Sequence, residues 1–202
     1  LFLTILKSDR KKAFAFTSSV MNLFILGIGA ISLVLFLFAK PFTALLYPQF
    51  SSEMLETTAE LLRIMLLSPL FFTISSVLSG IQNAFRSFYG FALAPIVYNL
   101  GILFGIYFLS PVIGISGVSY GVIIGAFLHV VIQWPFTSKL GFSWKPILEW
   151  SAEMKKLLLL SIPRVFSLVG LQLMYFVEGI IATALSPGNL TVLRYAQDIQ
   201  SF

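Results

Sequence analysis

The sequence contains no cysteine. That excludes disulfides, thiolate nucleophiles and cysteine-held metal sites. Charge is nearly as scarce: 10% of the 202 residues are Asp, Glu, Lys or Arg, against 58% apolar residues. A water-soluble domain of this size needs a charged coat that this chain does not carry. There is one histidine, His129, near a membrane interface by its position and without a carboxylate at ligand spacing, so metal binding there is disfavoured. A paired nucleophile and base, a phosphate-binding loop and a zinc spacing are all missing, which argues against an enzyme.

What the chain has instead is five long apolar runs, roughly 13–39, 61–85, 91–109, 112–134 and 157–185. A helix rises about 1.5 Å per residue, so about 20 apolar residues match a hydrocarbon core about 30 Å thick. Lipid leaves backbone groups nothing to bond to, so spans are helices or closed barrels. These runs are continuous rather than alternating, which excludes a barrel of amphipathic strands. The fold class is therefore all-α, a polytopic transmembrane helical bundle. Both ends read as cuts through spans, so the chain is expected to be a piece of a longer transporter-like protein.

The net charge of +5 is a topology signal and gives no reason to expect nucleic acid. Lys7, Arg10, Lys11 and Lys12 precede the first span, Arg86 follows the second, and Lys139, Lys145, Lys155 and Lys156 separate the fourth from the fifth. The opposite loops carry Lys40 against Glu53, Glu56 and Glu60, then two nearly uncharged turns at Ser110–Pro111 and Ser186–Asn189. Basic loops stay cytoplasmic, and the spans then alternate without contradiction. Trp134, Trp144 and Trp150 fall on the cytoplasmic side too, at the headgroup depth Trp favours among membrane lipids. Between Pro146 and Lys156, Ile147, Trp150 and Met154 recur at helical spacing, which predicts a short amphipathic helix in the interface, with an ordinary polar connector as the alternative.

Gly117, Gly121 and Gly125 in the fourth span, like Gly101 and Gly105 in the third, form small-residue ridges suited to close helix packing. Pro69, Pro95 and Pro163 permit bends. Gln82, Asn83 and Arg86 close the second span and Asn99 sits within the third; intramembrane amides commonly tie helices together.

Charged groups inside spans carry the most information. A central Asp, Lys or Arg costs about 2.5–3.5 kcal/mol to insert, and Glu is comparable. Glu178, in the fifth span, is either a cation or proton site or a paired structural carboxyl. Arg164 either snorkels to lipid phosphates or lines a cavity for an anionic substrate. Arg194 and Asp198 are four residues apart on the last helix and share a face; they either neutralise each other or serve a polar pathway.

Residues 77–101 resemble a signature of the bacterial lipid II flippases, the MurJ or MviN family: Asn83, Ala84 and Phe88 in a turn, then Ala94, Pro95, Tyr98 and Asn99. A second similar stretch runs from Ser161, Pro163 and Arg164 past Gln172 and Glu178 to Tyr195 and Ala196. The resemblance implies a fourteen-helix, two-lobed exporter that moves lipid II, a polyprenyl-pyrophosphate-linked sugar, from the inner to the outer leaflet of the bacterial plasma membrane by alternating access. It places residues 1–156 in the N-terminal lobe, from the end of the second helix to the sixth, with a cytoplasmic connector, and residues 157–202 at the start of the C-terminal lobe. It implies no cofactor beyond a coupling sodium ion, with Glu178 where some members carry a carboxylate of a sodium site, and Arg164, Arg194 and Asp198 toward the substrate. Many members carry Asp-Arg after the Tyr-Ala pair, whereas here Gln197 and Asp198 stand there, so the usual arginine is missing. A related polysaccharide-lipid or drug–cation exporter, or a non-transporting membrane scaffold, are the rival readings.

Overall fold

In water, α2 (Arg10–Leu37) would be an impossible helix. Leu26, Leu33 and Leu37 are each about 60% exposed along it, and its length of about 42 Å exceeds a bilayer core. In lipid that surface is in its proper solvent. The computed structural model describes residues 1–183 and 188–200, and five of its helical segments are long and apolar enough to cross a membrane: 10–37, 52–84, 89–113, 116–139 and 152–182.

The described chain divides into two compact units, residues 1–39 with 60–154 and residues 40–59 with 155–202. Residues 40–59 group with the later segment.

The first unit opens with α1 (Phe2–Ser8), and Asp9 separates it from α2. The Asp9 carboxylate accepts from the backbone N–H groups of Lys11 at 2.8 Å and Lys12 at 3.1 Å, satisfying donors that a helix start leaves open. The helix pair α4 (Ser52–Met65) and α5 (Ser68–Ala84) forms the second span, interrupted just before Pro69. At the end of α5, Ser87 N–H reaches Gln82 O and Arg86 N–H reaches Asn83 O, the paired closure of a Schellman turn. Arg86 occupies its left-handed position at φ +56°, alone among the described non-glycine residues.

The third span is α6 (Tyr89–Phe104), a π-helical turn (Gly105–Leu109) and α7 (Ser110–Ile113). The turn expected at Ser110–Pro111 is therefore not there. Pro111 has no N–H to give the preceding turn, and the π turn accommodates it by letting Ser110 N–H bond Gly105 O. The chain reverses later, at Gly114 with φ +66°, a conformation only glycine adopts freely. The fourth span, α8 (Ser116–Lys139), packs back on α6 through the glycine ridges. A Cβ on Gly105 would stand 2.6 Å from Gly121 Cα, one on Gly101 2.5 Å from Gly125 N, and one on Gly117 2.5 Å from Leu109 C. Backbone touches backbone along this seam.

Three helix ends meet at Arg10. Its guanidinium donates to Leu140 O, at the C-terminus of α8, at 2.5 Å, and lies 5.6 Å from the Phe14 ring and 5.4 Å from that of Phe85. The basic segments before α2, after α5 and after α8 thus share one end of this unit, as the charge pattern requires. Beneath them Met21, Leu78, Ile81 and Phe142 form a buried cluster.

The amphipathic helix expected between Pro146 and Lys156 is absent. Residues 142–151 run without regular structure along α2, and helix resumes only at Ala152. The periodicity of Ile147, Trp150 and Met154 is overridden by a polar stripe on α2. Ser18 and Ser19 hydroxyls accept from the Lys145 and Glu149 N–H groups, and the Asn22 amide donates to Lys145 O and Ile147 O.

The second unit holds most of α3 (Ala39–Leu46), the first half of α4, nearly all of α9 (Ala152–Thr183) and α10 (Asn189–Gln200). Lys40 pairs with Glu56, within the charge group expected on the outer side. Of the turn expected at Ser186–Asn189, Ser186 and Pro187 lie outside the described residues; Gly188 has φ +95° and Asn189 opens α10.

Candidate functional site

Two polar constellations interrupt the apolar helices. The first lies within the first unit, between α5 and α8. Ser75, Ser79 and Gln82 recur at helical spacing on α5, and His129, Gln133 and Thr137 do so on α8, so each set forms a stripe. Ser75 Oγ stands 2.6 Å from His129 Nδ1, Ser79 Oγ donates to Gln133 Oε1 at 2.8 Å, and Gln82 Nε2 donates to Gln133 Oε1 and Thr137 Oγ1, both at 3.1 Å. Gln133 Nε2 donates to Ser75 Oγ and, at 3.0 Å, to His129 O. Gln82 and Gln133 are fully buried.

Gln82 also accepts from Phe91 N–H at 3.0 Å, one of the first-turn donors that α6 leaves open. Gly90 makes this contact sterically feasible, since a Cβ there would stand 2.5 Å from Gln82 Oε1. One amide thereby joins α5, α6 and α8. Each of these side chains bonds another, and the seam binds helices together where hydrocarbon would leave such groups unmet. His129 lies about 15 Å along α8 from its Lys139 end, since α8 continues past Trp134 and Pro135. Its ring packs edge-on against Phe72 and Tyr98.

Of the expected tie residues, Asn99 is exposed and donates to Pro95 O of its own helix at 3.0 Å, so among the described residues it joins no second helix. Asn83 is exposed as well; its backbone, and that of Arg86, form the α5 turn.

The second constellation lies in the second unit, between α9 and α10. Glu178 is half-buried, and its Oε2 accepts from Gln197 Nε2 at 2.7 Å. Gln197 Oε1 in turn accepts from the Arg194 guanidinium at 3.0 Å. The guanidinium lies over Gly179, where a Cβ would stand 3.4 Å from its terminal nitrogen. Arg194 and Gln197 are three apart, which puts both on the α9 side of α10. The carboxylate and the guanidinium are thus joined through a neutral amide. Asp198 is exposed, one residue beyond the amide. Arg164 stands apart, exposed on α9 about 21 Å along the helix from Glu178. The structure brings Glu178 and Arg194 together and leaves Arg164 elsewhere.

Among the described residues no group of three or more His, Asp or Glu side chains converges on a common point. An apolar hollow of about 370 Å³ in the first unit is lined by Ser32, Phe36, Arg63, Leu67 and Leu70, among others. Its one charge, Arg63, donates to Phe36 O at the end of α2 at 3.3 Å.

Gln133, Thr137, Ser75 and Gln197 emerge as network members only from the structure. The matching stripes on the second and fourth spans were the available signal. For Gln197 there was none, since its two partners lie on different helices and at opposite ends of its amide.

Comparison with known proteins agrees with this architecture. The family model for the lipid II flippase MurJ matches residues 1–202. The chain is similar to a probable lipid II flippase MurJ of Borreliella burgdorferi, 30% identical over 138 residues, covering 68% of this chain and 27% of that protein. It is similar to its counterparts in Rickettsia prowazekii, 27% identical over 96% of this chain and 39% of the relative, and Burkholderia cenocepacia, 24% identical over 69% and 28%. The chain thus spans about a quarter to two fifths of the length of these curated relatives. With five spanning helices and a family match along all 202 residues, the chain belongs to the MurJ family of lipid II flippases.

Proposed function

We propose that this chain is part of a transporter that moves lipid II, or a closely similar polyprenyl-pyrophosphate-linked sugar, from the inner to the outer leaflet of the bacterial plasma membrane. The observation that carries this reading is the family match over residues 1–202. The fold supports it: polar groups are placed inside helices that otherwise meet lipid, an arrangement that marks pathways as well as ties. Alternating access between the two leaflets is the mode of transport the resemblance implies.

Within that reading, Arg194 offers a guanidinium for a phosphate oxygen, since Arg–phosphate bonds are charge-assisted and can be bidentate. Arg164 and Asp198 are further substrate-facing candidates. Glu178 is the ion-coupling carboxylate. Beside it stands the NH2 of the Gln197 amide, whose oxygen is on Arg194, so a sodium shell needs oxygens from elsewhere in the whole transporter.

The experiment uses the full-length protein in a bacterium depleted of its own flippase. Growth and the lipid II accessible at the outer leaflet are both followed. Restored accessibility is expected. Failure with correctly inserted protein at normal levels would reject lipid II as the substrate in favour of another lipid-linked sugar.

A further inference from the structure

We infer that Arg63 and the apolar hollow beneath it hold one phospholipid of the outer leaflet, with its phosphate on the guanidinium and an acyl chain in the hollow. The site is independent of the transported substrate and of the α9–α10 constellation.

Depth is the first support. Arg63 lies on α4, about 30 Å along the span from the cytoplasmic end of α5 at Ala84. That distance is the thickness of a hydrocarbon core. Its Nε–H donates to Phe36 O at 3.3 Å, and Phe36 is in the last turn of α2, at the end opposite the basic segment. Both helices therefore put the guanidinium at the outer headgroup level. The rest of the hollow lies deeper. Ser32 and Gly29 are about one and two turns below Phe36 on α2, and Leu67 and Leu70 about one and two turns below Arg63. Leu33 and Leu67, on the two walls, are more than half exposed, so the hollow opens sideways to the bilayer. Its volume of about 370 Å³ is within the range of small-molecule sites.

Charge selects the ligand. Among the described residues Arg63 joins no ion pair. Its Nε–H is spent on the carbonyl that the α2 terminus leaves open, which fixes the guanidinium in place. The terminal nitrogens remain, and paired N–H groups of that kind grip a phosphate bidentately. No second cation lines the hollow, so the site matches the single charge of a phosphodiester and not a pyrophosphate. Glu60 is exposed three residues earlier on α4, on the same side of the helix as Arg63. A headgroup carrying an ammonium beside its phosphate complements this pair of opposite charges.

The test uses full-length, delipidated protein in detergent and native mass spectrometry, with phosphatidylethanolamine as probe. Diacylglycerol of the same chains is the control without a phosphate. One phosphatidylethanolamine should bind more tightly than any that follow, and diacylglycerol should not be retained. Arg63→Gln should weaken that first binding about tenfold or more, as loss of hydrogen bonds to a charged group does. Gly29→Leu should abolish it with Arg63 intact, because a Cβ at Gly29 already stands 3.8 Å from Leu70 Cδ2 and a longer side chain fills the hollow. If Gly29→Leu does not fold, the comparison with Arg63→Gln decides. A first lipid held no more tightly than later ones, equal affinity in wild type and Arg63→Gln, or equal retention of diacylglycerol would each overturn the site. None of these results would bear on whether the transporter moves lipid II.

Discussion

Asn22 uses every polar atom of its side chain. Its amide nitrogen donates to Lys145 O at 2.8 Å and Ile147 O at 2.7 Å, and its oxygen accepts from the Trp144 indole N–H at 2.8 Å. With Ser18 and Ser19, one turn away, it holds residues 142–151 against α2. Hydrogen bonds of this kind contribute about 0.5–1.5 kcal/mol each, so losing three lowers the local opening energy by more than the 1.4 kcal/mol that makes a factor of ten. Asn22→Ala should therefore speed hydrogen exchange at the Lys145 and Glu149 amides by at least about tenfold, leaving the α8 amides unchanged. Equal exchange in both proteins would mean that packing, and not Asn22, holds the segment. None of this was legible in the sequence. Ile147, Trp150 and Met154 have helical spacing, and spacing carries no trace of partners more than a hundred residues away.

Helices were far more legible, because lipid makes apolar length nearly sufficient to define them. The five runs correspond to the five spanning segments, with ends displaced by one to five residues except at the start of the second, which begins nine residues earlier than its apolar run. The largest error is at Ser110–Pro111, where a dipeptide that commonly opens a turn sits inside a helix behind a π turn. The glycine ridges were legible as a pattern; the structure adds that Gly105 meets Gly121, Gly101 meets Gly125 and Gly117 meets the backbone at Leu109. Gly121→Ala places a methyl 2.6 Å from Gly105 Cα. Helix backbones cannot yield as a flexible side-chain end can, so the variant should lose about 1–3 kcal/mol, the usual cost of overpacking. At Gly80, on α5, an added methyl would have no atom within 4 Å, and Gly80→Ala should gain about 1 kcal/mol from helix propensity. Thermal unfolding of the detergent-solubilised full-length protein should move in opposite directions for the two. A similar response in both would mean that the α6–α8 seam tolerates separation.

At the scale of the whole molecule, the question is whether Glu178 couples an ion or only steadies two helices. The sequence showed Glu178 and Arg194 as charges that lipid rejects; it could not show that one amide joins them, because that depends on how α10 turns against α9. Glu178→Gln separates the two roles. The new side chain keeps nearly the same shape and retains an oxygen to accept from Gln197 Nε2, so a steadying role survives the change. The negative charge does not survive, and with it goes the attraction for a cation. Full-length Glu178→Gln should therefore reach the membrane at normal levels and keep its thermal midpoint. Its accumulation of outer-leaflet lipid II should become insensitive to sodium or to dissipation of the membrane potential, whichever drives the wild type. A variant that stays as ion-dependent as the wild type would leave Glu178 a structural carboxyl, and the coupling group would then have to be sought outside the α9–α10 pair.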